Sequence, residues 1–165
     1  MFALGVDPGL SRCGYGAVRG SGGDLECVAF GHLTTPTDAP LAERLGMLLG
    51  DLESLLDEFQ PDVVVVERVL FQVNARTAMS VGQASGLALA TAARRGIAVA
   101  QYSPNEVKLA VAGYGSADKV AVSSMVAMLL GLPSPPKPAD RADALALAVT
   151  HLAGAGLRSA GALIR

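Results

Sequence analysis

The chain contains no tryptophan, and its apolar runs are short: each meets a charged residue or a glycine well before the roughly 20 residues that a membrane-spanning helix requires. No basic segment precedes the first apolar run, so neither a leader nor a membrane partner is expected, and the chain reads as a soluble cytoplasmic protein. Cysteine is scarce. Cys13 and Cys27 fall on the two strands of one expected hairpin with its turn at Ser21-Gly-Gly-Asp24. Counting back from that turn sets Cys27 opposite Val18, which leaves the thiols out of register and argues against a disulfide. Positive charge is also in short supply. Thirteen Lys and Arg against fifteen Asp and Glu give a formal net charge of -2, which argues against a nucleic-acid binder unless acids gathered for metal ions hide a basic face. What the chain does have is aliphatic: 51% of its 165 residues are hydrophobic, enough for one compact core with no second domain.

The stretch Phe2 to Ser11 organises the rest. A short apolar run stopped by Pro8 and Gly9 reads as a buried strand with a carboxylate, Asp7, at its tip. By itself this is also what a turn aspartate capping its own loop looks like. Cys13 to Arg19 and Leu25 to Leu33 add two antiparallel strands, and Thr34 to Pro40 is a loop. Apolar residues at Leu41, Leu45, Leu48, Leu49, Leu52, Leu55, Leu56 and Phe59 recur at helical spacing, and Pro61 ends that helix. Val63 to Val66, apolar on both faces, reads as a central strand that stops at Glu67.

Asn74 to Arg95 reads as a helix with apolar residues on nearly every side, either buried centrally or shared between subunits. The small residues Gly82, Ser85, Gly86 and Ala90 favour the subunit interface. Ile97 to Tyr102 is a further strand. Ser103-Pro-Asn-Glu106 forms a capping box for a helix that carries Lys108. Gly113-Tyr-Gly115 breaks that helix, and Ser116 is placed to cap the next, which runs through Leu130 with Lys119 in its first turn. A connector with four prolines spans Gly131 to Pro138. The last helix runs from Ala139 to about Ala153, so the domain is expected over residues 1–153, with a Gly/Ala-rich tail over 154–165.

Four acids stand at the ends of these elements. Asp140 and Asp143, three residues apart, share one helical face, and taken alone the helix dipole accounts for them. Glu67 is harder to explain, because an acid after four valines is costly to bury unless a cation or hydrogen bonds compensate, and Asp7 poses the same problem. If the four converge, their repulsion demands positive charge. Carboxylates without Cys or His select Mg²⁺ or Mn²⁺ over Zn²⁺, and the two histidines, His32 and His151, lie elsewhere. Two such ions would form the clamp used for in-line displacement at phosphorus.

Gly5-Val-Asp-Pro-Gly9, Val66-Glu-Arg-Val69 followed by Asn74, Gly113-Tyr-Gly-Ser-Ala-Asp-Lys119, and Ala139-Asp-Arg-Ala-Asp-Ala-Leu-Ala146 resemble, in order and at matching separations, the motifs of the RuvC family of Holliday junction resolvases. The likeness runs to about His151. It implies an α/β, RNase H-like fold, with a five-stranded mixed sheet flanked by helices on both faces. It further implies a homodimeric endonuclease that nicks four-way junction DNA symmetrically on two strands and works with the branch-migration proteins RuvA and RuvB. Asp7, Glu67, Asp140 and Asp143 match the family's catalytic, metal-holding carboxylates, and Lys108 and Lys119 match its lysines near the scissile DNA. The cofactor so implied is a pair of Mg²⁺ ions, with Mn²⁺ able to substitute. Arg68 and Arg76 are further candidates for phosphate contacts, and one of Leu70 and Phe71 would meet an unpaired base. Two other classes remain to be weighed against this one. A strand-end Asp followed by Gly also opens the phosphate loop of two-domain sugar-kinase-like ATPases, for which the chain is too short, and a non-catalytic junction binder would not need all four acids.

Overall fold

In the computed structural model, residues 1–68 and 75–162 are described, and within the second stretch the side chains of residues 78–155. Three strands open the chain: β1 (Phe2–Asp7), β2 (Arg12–Ser21) and β3 (Asp24–Thr34). Helix α1 (Leu41–Phe59) leads to β4 (Val63–Glu67), α2 (Ala75–Arg94) and β5 (Ala98–Tyr102). Three helices close it, α3 (Pro104–Ala112), α4 (Lys119–Leu129) and α5 (Ala139–Ala162). The strands form one sheet in the order β3-β2-β1-β4-β5. β1, β2 and β3 pair antiparallel, whereas β4 lies parallel to β1, and β5 to β4. The three parallel strands therefore all end at one edge, where Asp7, Glu67 and Tyr102 are found.

Alternation along the strands assigns every side chain to one of two layers. Leu4, Val6, Val64 and Val66 face α1 and α2, packing on Leu48, Leu52, Leu56, Ala84, Ala88 and Ala92. Ala3, Val63 and Val65 face the other way, onto α3, α4 and α5 through Val107, Val122, Val126, Leu145 and Val149. Asp7 and Glu67 continue the second series, so parity alone turns both carboxylates toward α5. Their strands are in register up to the pair Val6–Val66, which makes the two acids neighbours at the sheet edge.

Glycine lets α5 come this close. A Cβ on Gly5 would run into the Ala144 carbonyl oxygen, and one on Gly14 into that of Asp140. Two strands thus accept the helix backbone itself, with no side chain between, and Asp140 and Asp143 are held at the sheet edge. Where β2 pairs with β3, Val18 lies opposite Cys27, as the turn count requires, and both cysteines are free. Burial pushes the Cys13 thiol up to about 12, so this side chain is an inert part of the core.

Two sequence expectations need correction. Helix α4 is capped by Asp118, not Ser116: the Asp118 carboxylate accepts from the Ala121 amide at 2.7 Å. Helix α5 continues to Ala162 instead of ending near Ala153. Gly154 and Gly156 each cost about 1 kcal/mol relative to alanine, but a formed helix extends easily, and no proline stands in the way. Among the described residues, no helix is long and apolar enough to cross a membrane.

Candidate active site

A cavity of about 160 Å³ opens at the carboxyl edge of the parallel strands. Asp7, Glu67, Asp140, Asp143, Lys108 and Lys119 line it, above a floor that includes Val107, Val122, Ala146 and Leu147. Each charged group arrives by a different local rule. Asp7 and Glu67 come from adjacent strand ends. Asp140 lies in the first turn of α5 and Asp143 follows three residues later, the spacing that stacks them on one face.

Lys108 comes with α3, whose start is fixed by the expected capping box: Glu106 N donates to Ser103 Oγ at 3.3 Å and Ser103 N donates to Glu106 Oε2 at 2.7 Å. That bond from the Ser103 backbone, with help from the Ser103 hydroxyl and Arg68, holds the Glu106 carboxyl below its usual range. Lys119 is the first residue of α4, so the Asp118 cap sets where its side chain begins.

Electrostatically, this is an acidic site under strain. Asp7 is half-buried, and its pKa is pushed up from 3.8 to about 7, first by loss of hydration and then by Asp143, Glu67 and Asp140, with Lys119 opposing. Glu67 is raised too, by burial and then by Asp143. Two cations offset part of the charge on the helix acids. Lys119 Nζ donates to Asp143 Oδ2 at 2.9 Å, a bond that raises the lysine's own pKa, and Arg12 Nη1 lies 3.4 Å from Asp140 Oδ2. Arg12 escaped the sequence reading, because its partner is 128 residues away and no local pattern announces the pair.

The carboxylates surround the cavity without closing into a ready-made cage: among the described residues, no three acidic, imidazole or thiolate groups stand close enough to hold an ion as they are. The donor set nevertheless fits a hard divalent cation. It is all oxygen, and the mutual repulsion that lifts Asp7 is what such an ion would relieve. Of the other residues singled out by sequence, Arg68 is exposed and turned to α3 and β5, with Nη1 3.8 Å from Glu106 Oε2 and Nη2 donating to the Gln101 carbonyl at 3.2 Å. Leu70, Phe71 and the Arg76 side chain lie outside the described residues.

A family model described as Crossover junction endodeoxyribonuclease RuvC matches residues 3–151. Proteins of the same description from Streptomyces avermitilis and Thermobifida fusca are 54% and 51% identical over 153 residues, covering 92% of this chain and 87% and 84% of theirs. The solved RuvC of Thermus thermophilus superposes with a TM-score of 0.87 at 36% identity over 96% of this chain and 97% of that one. The same protein in complex with a Holliday junction substrate reaches 0.90 over the same shares. The yeast mitochondrial Holliday junction resolvase Ydc2 shares the fold, with a TM-score of 0.69 over 95% of this chain and 82% of its own at 15% identity. The five-stranded mixed sheet with helices on both faces is thus the RNase H-like architecture that the sequence resemblance implied. By sequence and by structure, this chain belongs to the RuvC family of crossover junction endodeoxyribonucleases.

Proposed function

We propose that this chain resolves four-way DNA junctions by paired symmetric nicks, hydrolysing phosphodiesters to leave 5′-phosphate and 3′-hydroxyl ends that can be sealed. The observation that carries this reading is the convergence of Asp7, Glu67, Asp140 and Asp143, drawn from two strands and a helix, on one cavity that also holds Lys108 and Lys119. Its family membership and its likeness to a relative solved with a Holliday junction support the same substrate. Two Mg²⁺ ions, replaceable by Mn²⁺ and held by the four carboxylates, would supply an activated water and charge neutralisation at the scissile phosphate.

The remaining work falls to the chain's own groups. Asp7 has the most strongly raised carboxyl and is coupled to Glu67, Asp140 and Asp143, so it is the acid with most to gain from a bound cation. Lys119 is poised to exchange Asp143 for the charge that develops on the phosphate. Lys108 and, more distantly, Arg68 hold the DNA backbone without reading sequence. The enzyme acts as a homodimer, since two sites related by a two-fold axis match an opened junction, and it works in the cytoplasm beside RuvA and RuvB. The exposed outer stripe of α2, Met79, Gly82, Gly86 and Ala90, is the surface best suited to that contact, whereas Ser85, grouped with these glycines by sequence, is buried inside the domain. The test is to incubate a synthetic four-way junction with the protein and Mg²⁺. Symmetric nicks in two opposed strands with ligatable ends support the reading, and an intact junction refutes it.

A further inference from the structure

The first residue of β2, Arg12, holds a position that the nuclease chemistry described above does not yet use. Gly14 and Gly16 both abut α5, Gly14 at the Asp140 backbone and Gly16 at Leu145, and Val18 belongs to the same layer. Even-numbered positions at this end of β2 therefore face α5, and Arg12, the next even position toward the strand start, projects past the helix's first turn. There its guanidinium meets Asp140 through a single 3.4 Å contact while about half of the side chain stays in solvent.

The loop that delivers Arg12 is held firmly. Buried Thr35 donates its hydroxyl proton to the Leu10 carbonyl at 2.6 Å, Arg44 Nε donates to Thr35 Oγ1 at 3.0 Å, and Arg44 Nη2 donates to Ser11 Oγ at 2.7 Å. The rim cation is fixed at its base, half in solvent and only weakly engaged at its tip. A long, solvent-exposed ion pair of this kind exchanges readily for a better anion.

We propose that Arg12 is a DNA-phosphate contact held in reserve by Asp140: when a divalent cation takes over that carboxylate, the guanidinium is released to the backbone of the DNA beside the scissile position. This inference rests on the junction-binding function proposed above. Arg12 then couples loading of the acidic cavity to substrate affinity, and the two cations divide the labour, Lys119 within the cavity and Arg12 at its rim.

The experiment measures junction affinity against salt concentration, without cleavage, for five proteins in EDTA: wild type, Arg12→Ala, Asp140→Asn, and Asp140→Asn combined with Arg12→Ala or with Arg12→Lys. Asp140→Asn frees Arg12 with no metal present, so it should bind more tightly than wild type with a salt slope steeper by about one, and Arg12→Ala in that background should remove the extra slope. Arg12→Lys in the same background should restore it. In Ca²⁺ the wild type should show the same gain and Arg12→Ala should not. Equal slopes with and without Arg12 in both the Asp140→Asn background and Ca²⁺ would overturn the role of Arg12 and leave the junction function standing. Failure of the wild type to bind junctions at all would remove both.

Discussion

Lys119 Nζ lies 2.9 Å from Asp143 Oδ2, yet the lysine side chain remains 79% exposed. A cation fixed at its tip and wet along its stem is neutralising a carboxylate without being sealed in. That pairing raises the lysine's pKa, so it keeps its charge throughout the working pH range of a nuclease. Under the proposed function, the group stays available to a phosphate that displaces Asp143.

Lys119→Met should therefore lower single-turnover junction cleavage by roughly 10²- to 10³-fold, the usual cost of losing one donor aimed at developing charge. Junction affinity should change far less, because the proposed reading spreads the phosphate contacts over Lys108, Lys119 and Arg68. Parallel cleavage and binding titrations would show this. A loss of binding as large as the loss of rate would instead make Lys119 an anchor.

Asp7→Asn should abolish cleavage while making the metal-free protein more stable. The sign follows from the pKa. The folded-state value is about 7 against an ordinary 3.8, so between those values the folded state holds a proton that the unfolded state has released, and stability falls as pH rises. Above pH 7 the full cost of burying the charge is present, on the order of 2–4 kcal/mol. Thermal melts in EDTA should show Asp7→Asn ahead of wild type at pH 8 and the gap shrinking by more than half at pH 5. A variant less stable than wild type at pH 8 would contradict the strained-carboxylate reading.

Gly5→Ala should cost stability and activity together. The new methyl meets the Ala144 backbone, which cannot rotate away as a side chain could, so α5 must shift from β1. Overpacking of this kind costs about 1–3 kcal/mol or more. Chemical denaturation would give the stability loss. Cleavage measured on the folded fraction should also fall, since the shift moves Asp140 and Asp143 away from Asp7. Retention of both would show that helix and sheet tolerate a gap.

Gly86→Leu should leave the monomer folded and weaken dimerisation. Gly86 is exposed, with nothing within 4 Å of where its Cβ would stand, while the opposite face of α2 buries Ala84, Ala88 and Ala92. Sedimentation velocity should report a dimer for wild type, as proposed, and a lighter species for the variant at the same concentration. An unchanged profile would move the interface elsewhere.

Much of this architecture was legible in the residues themselves. The helical spacing of the leucines and the stop at Pro61 gave α1 to the residue, Leu41–Phe59, and the Ser103–Glu106 box gave the start of α3. Both are local signals, and nothing distant competes with them. The Val18–Cys27 register followed because a tight turn counts pairs outward. The misses lie where the deciding information is distant or ambiguous. Ser116 and Asp118 are both good caps, and only the path of the chain after Gly115 chooses between them. The docking of Gly5 and Gly14 on α5 and the Arg12–Asp140 pair join segments more than 120 residues apart, which periodicity cannot reach.

The proposed function stands on four carboxylates that together hold divalent cations at this cavity. The most direct measurement is anomalous scattering from crystals soaked in Mn²⁺, for wild type and Asp7→Asn. Two manganese peaks bounded by Asp7, Glu67, Asp140 and Asp143 in the wild type, weakened or lost in the variant, are predicted. Manganese bound elsewhere, or a cavity that stays free of metal at saturating Mn²⁺ with Lys119 and Arg12 still on the helix acids, would contradict the account.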